Sequence, residues 1–185
     1  MNIIIHNESE LQDFATTFAQ TLKGGEVIGL VGDLGAGKTT FTKYLGQALG
    51  AKRAIKSPTF IVLQIFDVGT PLRQGSSTPR LRLEEVFDSE AQTRGGLRLR
   101  GSDSRRLGGF VITKLVHIDA YRLKSYTELI ATGFLDYAGQ NNIITIVEWP
   151  DLVPEIRKLT NYRELNFKIS GEQTRVIYEG HLRRR

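Results

Sequence analysis

One eight-residue segment constrains the fold of this chain more than any other. It runs Gly32-Asp33-Leu34-Gly35-Ala36-Gly37-Lys38-Thr39 and matches the pattern G-x-x-x-x-G-K-[ST]. An almost continuous apolar run, Glu26 to Val31, precedes it, and an amphipathic helical pattern from about Lys38 to Leu49 follows it. The motif requires this context, and at background residue usage the pattern alone arises by chance on the order of once in a hundred chains of this length. The sequence therefore predicts a phosphate-binding loop between a buried strand and a helix.

The residue types in this segment fit the binding of a triphosphate. Glycines permit the left-handed backbone angles that point several amide groups at one anion, and the following helix adds the positive end of its dipole. We expect Lys38 to reach the β- and γ-phosphates and the hydroxyl of Thr39 to ligate Mg²⁺. ATP and Mg²⁺ are therefore the predicted cofactors. The predicted nucleotide-binding residues of the motif are Asp33, Gly35, Ala36, Gly37, Lys38 and Thr39.

An ATPase of this type also needs an acid that anchors the metal, normally at the end of a neighbouring buried strand. Glu148 follows the apolar run Ile143 to Val147 and is the first candidate, and Asp119 follows Leu115 to Ile118 and is the second. Such a carboxylate can hold Mg²⁺, hold its water or orient the attacking water. For each acid the alternative is a strand-end residue that faces solvent. Trp149, the single tryptophan, is expected either to pack over the nucleotide site or to cap the core.

The rest of the chain alternates between strand-like and helix-like patterns. Further strands are predicted at Asn2 to His6, Thr59 to Phe66, Lys114 to Ile118, Leu165 to Ser170 and Arg175 to Tyr178. Further helices are predicted at Glu8 to Leu22 with Ser9 as the N-cap, at Ser125 to Ala131, and near Asp151 to Lys158. This alternation predicts a single α/β domain, 1–185, with a three-layer P-loop NTPase-like fold and a central, mostly parallel sheet.

The composition changes abruptly at about Val68. From 68 to 110 the chain is rich in Gly, Ser, Thr, Pro and Arg, contains no Lys, and repeats an alternating Leu/Arg pattern. Such a composition is typical of mobile loops, and an exposed connection tolerates extra residues because the cost of loop closure grows only with the logarithm of length. We interpret residues 68–110 as a flexible insertion in the domain.

Charge and hydrophobicity narrow the class of protein. The formal net charge is +5, but eight Arg between 68 and 112 and the terminal Arg183 to Arg185 supply much of it, so a basic nucleic-acid-binding face on the core is not favoured and no DNA partner is expected. The apolar runs are too short to cross a bilayer, and the first residues lack the pattern of a signal peptide. Cysteine is absent, and the three histidines show no metal-ligand spacing. We expect a cytoplasmic protein without a membrane partner.

Four segments together resemble the TsaE (YjeE) family. They are Gly32 to Phe41, Lys56 to Phe60, His117 to Leu123 and Ile146 to Pro150, and Thr132 to Tyr137 also matches. The resemblance covers about Met1 to Phe66 and Val111 to Gly180. The family usually joins the strands around Phe60 and His117 by a short hairpin, whereas residues 68–110 intervene here. The alternative to a passive insertion is an Arg-rich arm that touches tRNA or the partner complex.

The resemblance implies a bacterial ATPase required for N6-threonylcarbamoyladenosine at position 37 of tRNAs that read ANN codons. It implies that the protein acts with the TsaB–TsaD heterodimer, which performs the carbamoyl transfer, and that contact with tRNA is indirect or weak. ATP hydrolysis would drive turnover or resetting of that complex, with no phosphate transferred to the tRNA.

The resemblance also implies roles for individual residues. Lys38, Thr39 and Thr40 belong by position to the phosphate and metal site, Glu148 resembles the magnesium ligand that completes it with Thr39, and Asp119 matches an acid of the hydrolysis step. The implied catalytic residues are Lys38, Asp119 and Glu148. The turn Ser57 to Thr59 resembles a switch-like loop near the γ-phosphate, or is a plain turn. Tyr121 and Arg122 are expected to shape the site or the partner surface.

Two other functions fit a chain of this size with a P-loop. A small-molecule kinase would carry an arginine lid and an acceptor pocket, but the Arg-rich stretch lacks the aromatic and acidic residues that would recognise an acceptor. A non-hydrolysing, nucleotide-gated assembly factor would need only the binding residues. The contacts of the adenine ring are not readable from the sequence, although the N-terminal segment and the strand around Arg175 are candidate walls.

Overall fold

The predicted strands assemble into one mixed sheet. The computed structural model describes residues 2–55, 62–69 and 111–180. Within these ranges the strands are β1 (Asn2–Ile5), β2 (Val27–Gly32), β3 (Leu63–Asp67), β4 (Lys114–Asp119), β5 (Ile143–Glu148), β6 (Tyr162–Ile169) and β7 (Arg175–Glu179). Their order is β1-β7-β6-β2-β5-β4-β3. The four central strands are parallel and the outer ones pair antiparallel, which confirms the α/β fold and places its parallel part at the centre.

The central strands are covered on both faces. All six residues of β5 are buried, as expected of a parallel strand between two layers, and this explains why its sequence is a continuous apolar run rather than an alternating one. The same register brings the carboxyl ends of the central strands together, with Glu148 opposite both Leu30 of β2 and Asp119 of β4.

One face of the sheet is covered by α1 (Glu8–Ala19) and α2 (Lys38–Ala48). Four phenylalanine rings, Phe14, Phe18, Phe41 and Phe167, lie with centroids 5.6–5.9 Å apart and join the two helices to β6. The other face carries α3 (Tyr126–Ala131) and several 3₁₀ segments, and the residues buried there include Leu129, Phe134, Val153 and Ile156. The described residues therefore form the expected three layers.

Two local predictions are wrong for identifiable reasons. Helix α1 begins at Glu8, as predicted, but its N-cap is Asn7 and not Ser9. The Asn7 side chain accepts from the Glu10 amide at 2.9 Å, while the Glu10 carboxylate accepts from the His6 amide at 2.8 Å. The helix predicted near 151–158 is instead two 3₁₀ segments, Pro150–Leu152 and Pro154–Lys158. Pro154 has no N–H to donate, so a continuous α-helix cannot pass through it.

Strand β3 and strand β4 flank the composition change. Asp67 lies opposite Lys114 in the antiparallel pair, and their side chains form an ion pair of 3.0 Å. Residues 70–110, which hold most of the predicted insertion, lie outside the described residues, as do 59–61 of the strand predicted at 59–66. Both flanks stand at the amino end of β4, whereas the phosphate motif follows the carboxyl end of β2, which runs in the same direction. The described residues on either side of 70–110 therefore lie at the end of the sheet opposite the motif.

A helix that spans a membrane needs about 20 predominantly apolar residues. Among the residues described, every helix is too short or too polar to traverse a bilayer.

Candidate functional site

The phosphate loop, residues 32–39, forms the turn between β2 and α2. Gly35 and Gly37 have φ of 77° and 102°, left-handed values that a residue with a Cβ adopts only at a cost. Gly37 is the N-cap of α2, so the first amide groups of the helix open into the loop. The predicted strand–loop–helix arrangement is thus present, with the positive end of the α2 dipole at the loop.

Lys38 is buried inside the phosphate loop. Its Nζ donates to the carbonyl oxygens of Gly32 at 2.6 Å and Asp33 at 2.9 Å, and lies 3.9 Å from the centre of the Trp149 ring. Burial removes the ammonium from water and lowers the pKa of Lys38, although Glu148, Asp119 and Asp33 oppose the change. The ammonium therefore sits in an environment that favours an anionic partner.

Thr39 and Glu148 meet across the interface between α2 and β5. The hydroxyl of Thr39 lies 2.8 Å from Oε1 and 3.1 Å from Oε2 of Glu148, and the Glu148 side chain is almost fully buried. These residues are 109 positions apart in the chain, and the parallel register brings them together. Glu148 is therefore not a strand-end acid that faces solvent. A hydroxyl and a carboxylate in contact are the oxygen donors that P-loop sites offer to Mg²⁺.

Asp119 stands beside Glu148 at the end of the neighbouring strand. Its backbone N–H donates to Val62 O at 2.9 Å, and its Oδ1 accepts from the Tyr121 amide at 3.0 Å, which caps the 3₁₀ segment Ala120–Arg122. The side chain of Asp119 is 7% exposed. Both predicted acids thus converge at one edge of the sheet.

A cavity of about 290 Å³, the phosphate cavity, joins these groups. It is lined by Leu34, Gly35, Gly37, Lys38, Thr39, Thr40, Asp119, Tyr121, Glu148 and Trp149. The cavity brings together most of the predicted site residues; Arg122 is exposed and does not line it. The described residues contain no group of three or more His, Asp or Glu side chains that could hold a metal alone. A cation here would depend on phosphate and water oxygens as well, as Mg²⁺ commonly does.

A second cavity of about 390 Å³, the side cavity, lies on the other side of the phosphate loop. It is lined by Ile5, Asn7, Glu8, Leu11, Gly35, Gly37, Thr40, Glu172, Gln173 and Arg175. Gly35, Gly37 and Thr40 border both cavities, so the two spaces meet at the loop. Arg175 donates from Nη2 to Gly35 O at 3.3 Å and thereby connects β7 to the loop.

Trp149 lies between the phosphate cavity and the core. Its ring borders the phosphate cavity and packs against the core beneath α3. The residue has φ 60° and ψ 49°, an unfavourable left-handed conformation for a non-glycine residue, and its N–H donates to Leu30 O at 3.2 Å. The exposed Tyr121 ring lies 5.3 Å from the Trp149 ring, centroid to centroid.

Sequence reasoning missed one residue of the site. His117 Nε2 lies 2.8 Å from Glu148 Oε1, and both side chains are buried. The sequence does show that His117 is a polar residue within the apolar run Leu115 to Ile118. That it contacts Glu148, however, follows only from the register of β4 and β5. The predicted switch-like turn Ser57 to Thr59 lies outside the described residues.

A family model and several curated relatives that match this chain all carry the description TsaE. The family model described as threonylcarbamoyl adenosine biosynthesis protein TsaE matches residues 5–74 and 106–177. The unmatched residues between these parts lie inside the predicted insertion.

Three curated relatives carry the description tRNA threonylcarbamoyladenosine biosynthesis protein TsaE. The Aquifex aeolicus protein is 34% identical over 137 residues, covering 72% of this chain and 71% of its own. The Rickettsia bellii protein is 27% identical over 174 residues, which cover 94% of this chain and 90% of that protein. The Bacillus subtilis protein is 38% identical over 91 residues, which cover 45% of this chain and 58% of that protein. The crystal structure of Bacillus subtilis YdiB has the same fold, with a TM-score of 0.54, 24% identity, and coverage of 96% of this chain and 82% of that one.

Proposed function

This chain belongs to the TsaE family of threonylcarbamoyladenosine biosynthesis proteins, and from that premise we propose that it is a weak, partner-dependent, Mg²⁺-dependent ATPase. The observation that carries the proposal is the meeting of Thr39 with Glu148 at the phosphate loop. A loop built for phosphate, next to a buried carboxylate in contact with a hydroxyl, is the arrangement that P-loop ATPases use.

In this proposal, different residues of the phosphate cavity contact the triphosphate, the cation and the attacking water. Amide groups of the phosphate loop enclose the triphosphate, and Lys38 exchanges its carbonyl contacts within the loop for phosphate oxygens. Thr39 and Glu148 would hold Mg²⁺, which would neutralise part of the charge of the phosphates. Asp119, the second acid at this edge, orients the attacking water. Exclusion of bulk water by the Trp149 ring strengthens these electrostatic contacts.

The side cavity offers a place for the rest of the nucleotide. It joins the phosphate cavity at Gly35, Gly37 and Thr40, and its apolar wall includes Ile5 and Leu11. We assign the ribose and base to this space. The assignment agrees with the expectation that the N-terminal segment and Arg175 form walls of the base pocket.

The partner is proposed to be the TsaB–TsaD heterodimer in the cytoplasm, with tRNA contacted indirectly or weakly. The family description names the pathway, and a pathway that modifies tRNA needs a component that performs the transfer itself. Hydrolysis by this chain would then drive turnover or resetting of the partner complex.

Hydrolysis measured with and without the partners tests the proposal. Wild-type protein is expected to bind Mg·ATP alone but to hydrolyse it at an appreciable rate only when TsaB–TsaD and tRNA are added, while Lys38→Ala loses binding. A rate that instead responds to one small metabolite, with no effect of the partners, would identify a kinase. A wild-type chain without affinity for Mg·ATP would overturn the proposal altogether.

Replacement of the two acids separates an ATPase from a nucleotide-gated assembly factor. Glu148→Gln and Asp119→Asn keep the size of each side chain, so we expect ATP binding to persist and hydrolysis to fall by roughly 10²-fold or more. If both variants bind ATP and still support tRNA modification, hydrolysis is dispensable and the chain is an assembly factor.

A further inference from the structure

His117 is a buried polar residue to which the proposed function assigns no role. It lies within β4 opposite Ile146 of β5, and its side chain is fully buried. Glu148, two residues beyond Ile146, points to the same face of the sheet. The contact of 2.8 Å between His117 Nε2 and Glu148 Oε1 is therefore a bond between buried side chains on adjacent strands.

The chemistry of the pair indicates the direction of this bond. Carboxylate oxygens accept hydrogen bonds, so we assign the hydrogen of the bond to Nε2 of His117. Nδ1 is buried and has no hydrogen-bond partner in the ranges that the structure describes. This pattern matches an imidazole that keeps its one hydrogen on the side of Glu148. Burial of a polar ring without such a bond would be costly, so the bond accounts for a histidine at this place in the core.

Glu148 is thus held from two directions. Thr39 contacts the carboxylate from α2, and His117 contacts Oε1 from β4. A threonine hydroxyl that ligates a cation through its oxygen keeps its hydrogen for the carboxylate, but the hydroxyl rotates freely. His117 is fixed by a central strand and is the more rigid of the two donors.

On the basis of the proposed Mg·ATP function, we propose that His117 is a positioning residue: its Nε2–H holds the Glu148 carboxylate in the orientation needed to bind Mg²⁺ beside Thr39. Partners that orient the ligands of a metal typically change metal affinity or activity by about 10–100-fold when they are removed. The absence of ligand spacing around His117 in the sequence agrees with this role, since the imidazole acts behind the ligand and does not touch the cation.

A pair of amide substitutions tests the position of the donor. In His117→Gln the side-chain amide extends to about the place of Nε2, whereas in His117→Asn it ends near Nδ1, so the two variants have the same chemistry but a different reach. ATP binding by the full chain is measured by calorimetry in EDTA and at increasing MgCl₂. We expect His117→Asn and His117→Leu to need about tenfold more Mg²⁺ than the wild type, and His117→Gln to stay within about threefold. ATP affinity in EDTA should be the same in all folded variants.

The possible results distinguish the role of His117 from the proposed function. If all three variants keep the Mg²⁺ dependence of the wild type, or if Gln and Asn are equally impaired, His117 does not position Glu148 through Nε2. A wild type without affinity for Mg·ATP would overturn the proposed function instead, which distinguishes the two failures. If the variants do not fold, ¹⁵N NMR of the wild-type histidines still tests the inference, because a His117 ring whose hydrogen is on Nδ1 contradicts it.

Discussion

Lys38 places its ammonium 3.9 Å from the centre of the Trp149 ring, in contact with the single tryptophan of the chain. The same ammonium donates to the carbonyl oxygens of Gly32 and Asp33, so its contacts all lie within the phosphate cavity and its loop. To reach a phosphate, Lys38 must give up at least part of this arrangement. Trp149 is therefore a built-in reporter of the movement.

We predict that Mg·ATP changes the fluorescence of Trp149, because a cation next to an indole ring alters its emission and Lys38 leaves the ring when phosphate binds. Titration of the wild type with Mg·ATP at fixed protein concentration measures the effect. Lys38→Ala without nucleotide provides the reference, since its Trp149 ring has no ammonium beside it and its emission should resemble that of the nucleotide-bound wild type. Binding detected by calorimetry without any spectral change would contradict the movement of Lys38.

The pH dependence of stability tests the burial of Lys38. Its pKa is lowered from 10.5, so between the lowered value and 10.5 the unfolded chain binds more protons than the folded chain, and stability rises with pH. Lys38→Met has no titrating group at this position. The wild type should therefore gain stability relative to Lys38→Met as the pH rises towards 10.5, measured by urea unfolding. A difference that is constant, or that changes in the opposite direction, would show that the ammonium is not desolvated.

Phe41 is expected to contribute strongly to stability. The ring is fully buried and contacts Phe14, Phe18 and Phe167 from three sides. Phe41→Ala should lower the free energy of unfolding by about 3–5 kcal/mol. Leu135→Ala is the control, because Leu135 is 52% exposed and its removal should cost no more than about 0.5 kcal/mol. Denaturant unfolding of both variants measures the difference; equal costs would contradict the position of Phe41 in the core.

Residues 70–110 can be tested by replacement with a short Gly/Asn turn between β3 and β4. We predict that stability and Mg·ATP affinity change little, because Asp67 and Lys114 already face each other and a shorter loop costs less entropy to close. A second variant keeps the length but changes the eight Arg to Gln. If the segment is an arm that contacts tRNA or the partner complex, both variants lower partner-dependent tRNA modification, whereas a passive insertion leaves it unchanged.

The sequence was sufficient for the parts of the site that depend on local pattern and strand order. The phosphate loop carries its own signature, and Glu148 and Asp119 were predictable because the carboxyl ends of parallel strands meet at one edge of a sheet. The contact between His117 and Glu148 was not predictable in the same way. It depends on which residues of β4 and β5 stand side by side, and a shift of one residue would have placed His117 on the other face.

Local backbone conformation was the other feature that the sequence did not predict. The left-handed Trp149 violates the usual preference of a non-glycine residue and is maintained by its bond to Leu30 and its packing against the core. The segments after it are 3₁₀ turns because Pro154 interrupts the helical pattern read from the apolar spacing. The N-cap was misassigned because Asn7 and Ser9 are both good caps, and only the bond from Glu10 distinguishes them.

The pairing of β1 with β7 has a practical consequence. Asn2 stands opposite Tyr178, so the two ends of the described fold are neighbours on the same edge of the sheet. A short linker from Gly180 to Asn2, with new termini opened between 69 and 111, would give a circularly permuted chain in which β2, α2, β4 and β5 keep their surroundings. We therefore expect the order of the elements along the chain to be separable from the geometry of the proposed nucleotide site.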